Sequence, residues 1–208
     1  MRLRLSVRDL LICSWPIDPV SIERVAPGVL APAPVDGRHL VSVVAIRFGA
    51  GRLGRVPTPR FSQLNVRTYV EDGGETAVLF LRSYVTLGAL PGILFGAPFR
   101  AARIHLEPGL VRAPGLGVRI PYRLGGPADP GELGGHERGL VEAGGVRRFT
   151  VERGPAEWRA AEPEGDVQAR VLLALGLDPT GPPSLLYAGE TSFVTSLPPR
   201  SSASRSRR

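Results

Sequence analysis

A hairpin pattern between residues 64 and 84 constrains the fold more than any other feature of the sequence. Residues 64–70 and 76–84 alternate with a period of two and flank residues 71–74 (EDGG), a sequence typical of a tight turn. Similar strand patterns, separated by turns rich in glycine and proline, occur at residues 8–15, 40–48, 100–107, 117–122, 147–153 and 187–197. The sequence therefore predicts a mainly β (α+β) chain with an antiparallel sheet that is closed or folded on itself.

Two short helices have recognisable ends. Asp18 is a suitable N-cap, Pro19 suits the first helical position, and a Pro-Gly pair follows, which predicts a helix over residues 19–26. Near the C-terminal end, Asp166 can cap a second helix over residues 167–175, which Gly176 can terminate. Residues 87–95 are the candidate for a third helix, and residues 49–59 are predicted to form a loop.

Length and composition are those of an ordinary globular chain. With 208 residues, of which 43% are hydrophobic and 22% charged, residues 1–197 are expected to form a single domain and residues 198–208 a disordered Ser/Arg-rich tail. No apolar run approaches the ~20 residues of a membrane helix, and the first residues lack the apolar core of a signal peptide. We therefore expect a cytoplasmic protein that does not enter a membrane.

All 26 basic residues are arginine, and the chain has no lysine. Because arginine keeps its proton at working pH, no side chain can form a Schiff base with a carbonyl substrate. The net charge is +7, but the tail carries four arginines and no acid, which leaves an ordinary +3 for residues 1–197. Decarboxylation or aldol chemistry through a lysine is therefore excluded.

The sequence contains no recognisable metal or cofactor motif. Cys13 is the only cysteine and lies in an apolar segment, which favours a buried hydrophobic role over a nucleophilic one. The three histidines, His39, His105 and His136, are far apart and lack ligand-like spacing. We expect neither a metal nor a cofactor.

The polar side chains of the hairpin are the candidate binding residues. Period two places Asn65, Arg67 and Tyr69 on one face of the first strand, and Phe80 and Arg82 on one face of the returning strand. In one interpretation this face is the solvated side of a half-buried hairpin. In the other, Arg67 and Arg82 point into a barrel mouth or cleft, where each guanidinium can bind a carboxylate bidentately and Asn65 and Tyr69 can orient the ligand by hydrogen bonds.

Several motifs resemble a known bacterial family. LNVRTYV at residues 64–70 looks like the signature strand of the YqjF-like family (domain of unknown function 2071), and WPIDP at 15–19, DGR at 36–38 and GAPFRAA at 96–102 match in the same order. That family resembles the acetoacetate-decarboxylase superfamily. The resemblance implies a mainly β, barrel- or cone-like fold around a central pocket, with two or three short helices.

The resemblance also identifies where decarboxylase chemistry would be lost. In the decarboxylase, a Gly-x-Pro-Lys-Lys segment supplies the Schiff-base lysine, which is activated by desolvation and a cationic neighbour. Residues 96–100 resemble that segment, with Phe99 in the place of the nucleophile and Arg100 in the place of its cationic neighbour. Arg100 is therefore either a candidate anion-binding residue or a surface arginine beside a strand.

Three functions follow as expectations. The first is a pocket that binds or transforms a small organic anion or carbonyl compound without Schiff-base chemistry; an enzyme of this kind would stabilise an enolate-like intermediate by fixed positive charge. The second is a non-catalytic sensor or accessory module that binds a hydrophobic metabolite. The third, ranked last, is nucleic-acid binding through the basic tail. Whether turnover occurs and whether the chain forms a homo-oligomer are left open.

Overall fold

Strands dominate the computed structural model of the chain, which describes residues 2–26, 28, 30–87, 99–135, 138–142 and 146–196. The strands are β1 Arg2–Pro16, β2 Leu40–Leu53, β3 Val56–Thr58, β4 Phe61–Asp72, β5 Glu75–Val85, β6 Phe99–Ala101, β7 His105–Glu107, β8 Leu110–Ala113, β9 Val118–Pro127, β10 Arg138–Glu142, β11 Val146–Arg153, β12 Trp158–Pro163, β13 Gln168–Ala169, β14 Ser184–Ala188 and β15 Thr191–Ser196. The helices within these ranges are α1 Pro19–Val25, α2 Gly131–Gly135 and α3 Arg170–Leu173, with a 3₁₀ turn at Pro114–Leu116.

Seven strands close into a barrel in the order β2-β4-β5-β10-β11-β15-β1, and β1 pairs again with β2. The β10–β5 pairing within the barrel and the β5–β6 pairing outside it are parallel, and the other pairings are antiparallel. The predicted mainly β barrel with short helices is therefore confirmed, with a sheet that is mostly rather than wholly antiparallel. Each of these seven strands therefore has a paired neighbour on both sides within the described residues.

A second group of strands extends from the long strand β1. Residues 2–7 of β1 pair with β15, whereas residues 10–14 pair with β14, from which the sheet continues through β12, β9, β8 and β7. The outer face of β1, β2 and β4 packs against this second group, against α1 and against α3 in the largest hydrophobic cluster. The barrel wall is thus buried on its outer side as well as its inner side.

Helix α1 forms as its sequence predicts. The Oδ1 atom of Asp18 accepts a hydrogen bond from the N–H of Val20 at 2.9 Å, and Pro19 occupies the first helical position. Ile22 is buried and anchors the helix in the large outer cluster. Capping fixes where the helix begins, and the buried face fixes where it docks.

Four local predictions are wrong in extent. The predicted strand at 100–107 is divided into β6, which pairs with β5, and β7, which pairs with β8. The predicted loop at 49–59 is instead the end of β2, a turn at residues 54–55, and β3. The predicted helix at 167–175 is helical only over Arg170–Leu173, because Gln168 and Ala169 pair with β9. The predicted final strand at 187–197 is divided between β14 and β15, which pair with different parts of β1. In the last two cases pairing with a distant strand overrides the local signal, whereas β3 and β7 form through hairpins with neighbouring strands.

Two sequence predictions concern residues outside the described ranges. The candidate helix at 87–95 falls almost entirely within residues 88–98, and the expected tail at 198–208 follows residue 196. Among the described helices, none is long and apolar enough to span a membrane.

Candidate functional site

The inner face of β4 carries the three polar residues that the period-two pattern grouped together. Asn65, Arg67 and Tyr69 are all buried, with 3%, 7% and 0% of their surface exposed. They lie opposite inward-facing positions of β2, where Arg67 pairs in register with Ser42. The hairpin face is therefore the barrel interior rather than a solvated surface.

Aromatic rings from several strands line the same interior. Phe80 of β5 packs against Phe149 of β11 with ring centroids 5.5 Å apart, and Phe48 of β2 meets Phe193 of β15 at 6.0 Å. Gly139 of β10 makes room for Phe149, because a Cβ atom at residue 139 would lie 2.4 Å from that ring. The interior is thus largely apolar, which strengthens any electrostatic interaction within it.

A chain of polar groups crosses one wall of this interior. Nη2 of Arg67 donates to the hydroxyl oxygen of Tyr69 at 3.2 Å, and that hydroxyl lies 3.2 Å from Oγ of Ser42. Ser42 in turn shares a hydrogen bond of 2.8 Å with Ser14. The guanidinium carbon of Arg67 also lies 5.6 Å from the centre of the Tyr69 ring. These contacts fix the orientation of Arg67 without neutralising its charge.

A second arginine enters the interior from the opposite wall. Arg153 is the last residue of β11. Its guanidinium lies 5.2 Å from the ring centre of Trp158 and 5.5 Å from that of Phe193. Its Nη1 donates a hydrogen bond to the carbonyl oxygen of Gly134 in α2. Burial, together with the positive charge of Arg67, lowers the pKa of Arg153 to about 10. Arg153 therefore remains cationic at neutral pH.

Neither arginine has an acidic partner among the residues that the structure describes. Within the described part of the chain, no carboxylate lies within 4.0 Å of Arg67 or Arg153, whereas seven other arginines form such pairs. The Nε atoms of both residues are buried without a hydrogen-bond partner. An unpaired buried donor on a cation is costly, and a bound ligand, ion or water is one explanation for its retention in a native structure.

Arg82 does not face the interior, so the expectation that it shares the face of Phe80 is wrong. A β-bulge shifts the β4–β5 register, so that Arg67 pairs with Phe80 but Val66 pairs with Arg82. Because Leu81 is the extra residue, Arg82 is carried to the outer face. There it lines a cavity of about 380 Å³ between α1, β5 and β10. Arg82 and Arg67 therefore do not converge.

Arg100 is also outside the interior. Arg100 is exposed on the short strand β6 and pairs in register with Tyr84 of β5. Tyr84 in turn pairs with Leu64 of β4, which faces outward, so Arg100 lies in an outward-facing row. Its neighbour Phe99 pairs with Ser83 and so shares the inward row of Asn65. Residues 96–98 of the same motif lie outside the described residues.

Other reactive groups lie away from the barrel interior. Cys13 faces the outer cluster, where burial raises the pKa of its thiol. Asp72 is held bidentately by Arg148, and this contact lowers the pKa of the Asp72 carboxyl. Glu71 is exposed beside the hairpin turn. Across the described ranges, no three histidine, cysteine or acidic side chains form a group able to hold a metal ion.

The closed barrel, extended by a second group of strands, defines an acetoacetate-decarboxylase-like fold. The acetoacetate decarboxylase of Legionella pneumophila superposes with a TM-score of 0.69 at 11% identity, over 95% of this chain and 86% of that one. The enduracididine biosynthesis enzyme MppR, solved with pyruvate, gives a TM-score of 0.64 at 14% identity, over 94% and 88% of the two chains. An acetoacetate decarboxylase-like enzyme from Sphingomonas wittichii gives 0.60 at 14% identity, over 94% and 91%.

The chain belongs to the DUF2071 family, described as an uncharacterized conserved protein, whose model matches residues 4–191. The resemblance inferred from its motifs is thereby confirmed. No curated protein matches the sequence.

Sequence reasoning missed Arg153. Its strand was predicted over residues 147–153, and period two already placed Phe149 and Arg153 on one face. Nothing local indicated that this face would lie three strands around the barrel from Arg67.

Proposed function

We propose that the barrel interior binds a small organic anion or carbonyl compound, with Arg67 as its principal anchor and Tyr69 and Asn65 as orienting groups. The observation that carries this proposal is that Arg67 is 7% exposed, unpaired with any described carboxylate, and has a buried Nε without a partner. A carboxylate or an enolate oxygen would supply both the missing charge and the missing acceptor.

The comparison with MppR adds support for the class of ligand. MppR has been solved with pyruvate, a 2-oxo acid, on a similar barrel. This chain lacks lysine, so a bound 2-oxo acid would be held without a Schiff base to a side chain. If the protein is an enzyme, the fixed charge of Arg67 would stabilise an enolate-like intermediate, because a guanidinium needs no change of protonation to do so.

Calorimetric titration with a panel of 2-oxo acids tests this proposal. Arg67→Ala is expected to bind at least about tenfold more weakly than the parent, since a hydrogen-bonded charge contributes roughly 1.5–3 kcal/mol. Arg4→Ala removes the same charge from an exposed position on β1 and serves as the matched control. Equal binding by the parent and Arg67→Ala across the whole panel would overturn the proposal.

The aromatic lining favours one alternative, a non-catalytic module for a hydrophobic metabolite. The rings of Phe80, Phe149 and Phe193 give the interior an apolar surface that needs no charge on the ligand. Pyruvate and methyl pyruvate distinguish the two functions, because the ester keeps the carbonyl group but loses the negative charge. Preference for the acid supports an anion site, and preference for the ester supports the alternative.

Nucleic-acid binding through residues 198–208 stays a prediction of the sequence. It requires an affinity that falls steeply with salt and disappears when those residues are deleted.

A further inference from the structure

The described residues place two cations in the barrel interior rather than one. Arg67 on β4 and Arg153 on β11 belong to strands three positions apart around the barrel, and both guanidiniums are directed to the same interior. Each is held by neutral groups, namely the Tyr69 hydroxyl for Arg67 and the Gly134 carbonyl with two aromatic rings for Arg153. The protein thus fixes both positive charges and balances neither within the described residues.

A ligand with a single negative charge would neutralise only one of the two positive charges in the barrel interior. Like charges in an apolar environment raise each other's free energy, and Arg153 already experiences the charge of Arg67. One carboxylate on Arg67 would complete its Nε but would leave the buried Nε of Arg153 without an acceptor. Two negative charges would satisfy both arginines.

We propose that the ligand is doubly negative, and that Arg153 binds its second charge while Arg67 binds the first. This inference rests on the proposed function and specifies the substrate class of the same site. Arg153 then determines specificity, since it would separate a dianion from a monoanion of equal length. The second charge can come from a second carboxylate or from a phosphate monoester, which share this chemistry.

Two matched pairs of compounds measure the effect of the second charge. 2-Oxoglutarate and 2-oxopentanoate have the same chain length and differ by a terminal carboxylate. Methyl phosphate and methyl sulfate have similar shapes, but at pH 8 the phosphate carries nearly two charges and the sulfate one. Calorimetry on the parent gives the preference within each pair. A large preference for 2-oxoglutarate over 2-oxopentanoate identifies a dicarboxylate ligand. A large preference for methyl phosphate over methyl sulfate, without the first preference, identifies a phosphate monoester.

Three variants test whether Arg153 causes the preference for the dianion. They are Arg153→Gln, Arg153→Lys and the exposed control Arg4→Gln. In one of the two pairs we expect the parent to bind the dianion at least about tenfold more tightly than the monoanion. One charged hydrogen-bonding group accounts for roughly that factor. Arg153→Gln should reduce the preference to within about threefold, because it weakens binding of the dianion more than binding of the monoanion. Arg153→Lys should retain part of the preference, and Arg4→Gln all of it. Circular dichroism verifies that each variant is folded.

The outcomes separate the two proposals. If the parent binds the monoanion and dianion of each pair equally, or if Arg153→Gln weakens both members equally, the assignment of a dianion to Arg153 is wrong and the anion site at Arg67 stands. If the parent binds none of the four compounds and none of the 2-oxo acid panel, the proposed function itself is wrong.

Discussion

Arg67 of β4 and Arg153 of β11 approach one interior from different walls of the barrel, and neither has a carboxylate partner among the described residues. A protein selected for stability alone would neutralise or remove such charges, because burying an unpaired cation is expensive. Their retention in an apolar barrel is the relationship from which the functional proposals follow.

Replacing Arg67 with a neutral residue should therefore stabilise the unliganded protein. Arg67→Met keeps the length of the side chain and removes the buried charge, and it loses one hydrogen bond to Tyr69 and the contact of the guanidinium with the Tyr69 ring. We expect the melting temperature to rise by about 2–4 °C, the shift for roughly 1 kcal/mol in a chain of this size. Differential scanning calorimetry measures it. Arg4→Met, at an exposed position, should change little, and a lower melting temperature for Arg67→Met would contradict the prediction.

Gly139 should not tolerate a side chain. A Cβ atom there would lie 2.4 Å from the ring of Phe149 and would push this ring towards the interior. Gly139→Ala is expected to lower the free energy of unfolding by about 1–3 kcal/mol, as overpacking usually does. Urea denaturation with an unchanged m-value measures this loss. Gly126→Ala is the control, because a Cβ atom at residue 126 has no neighbour within 4 Å. Equal stability of the two variants would show that Phe149 can move freely.

The Asp72–Arg148 pair should stabilise the fold against acid. Hydrogen bonds from Nε and Nη2 of Arg148 lower the pKa of Asp72 in the folded protein below 3.8, its ordinary value. A carboxyl group with a lowered folded pKa contributes stability above its unfolded pKa and loses it as the pH falls through the folded value. Arg148→Gln should therefore be less stable than the parent near neutral pH. Its stability should also fall less than that of the parent when the pH is lowered below about 4.

Thermal melts from pH 2.5 to 7 measure that difference. The matched control is Arg123→Gln, which removes a pair with Glu162 in which both side chains are mostly exposed. Such surface pairs contribute little, so this variant should follow the parent at every pH. A parent and an Arg148→Gln variant with parallel melting curves against pH would exclude the proposed contribution of Asp72.

Cys13 should be inert while the protein is folded. Its side chain is fully buried, and burial raises the pKa of the thiol, so almost no thiolate forms at pH 8. A disulfide-exchange reagent such as Ellman's reagent is expected to label the native protein only at the rate of unfolding. In 8 M urea it should label one thiol per chain at once. Rapid labelling of the native protein would place Cys13 in an accessible and activated environment instead.

Much of the fold could be read from local chemistry. The turn at residues 71–74, the cap at Asp18 and the alternation that groups Asn65, Arg67 and Tyr69 each depend on neighbours within a few residues. The same alternation failed at Arg82, because the bulge at Leu81 reverses the face of each residue that follows it. A single extra residue has no reliable local signal, since its position is decided by how two strands must bend to close the barrel.

The sequence by itself therefore determined which chemistry is impossible and which elements form. Without lysine no side chain can form a Schiff base, and turn and cap residues place the hairpin and α1. Only the tertiary structure decided that Arg67 is buried, that Arg82 and Arg100 lie outside, and that Arg153 joins Arg67. The physical reason is that backbone preferences act over a few residues, whereas barrel closure and the desolvation of a charge depend on residues far apart in the chain.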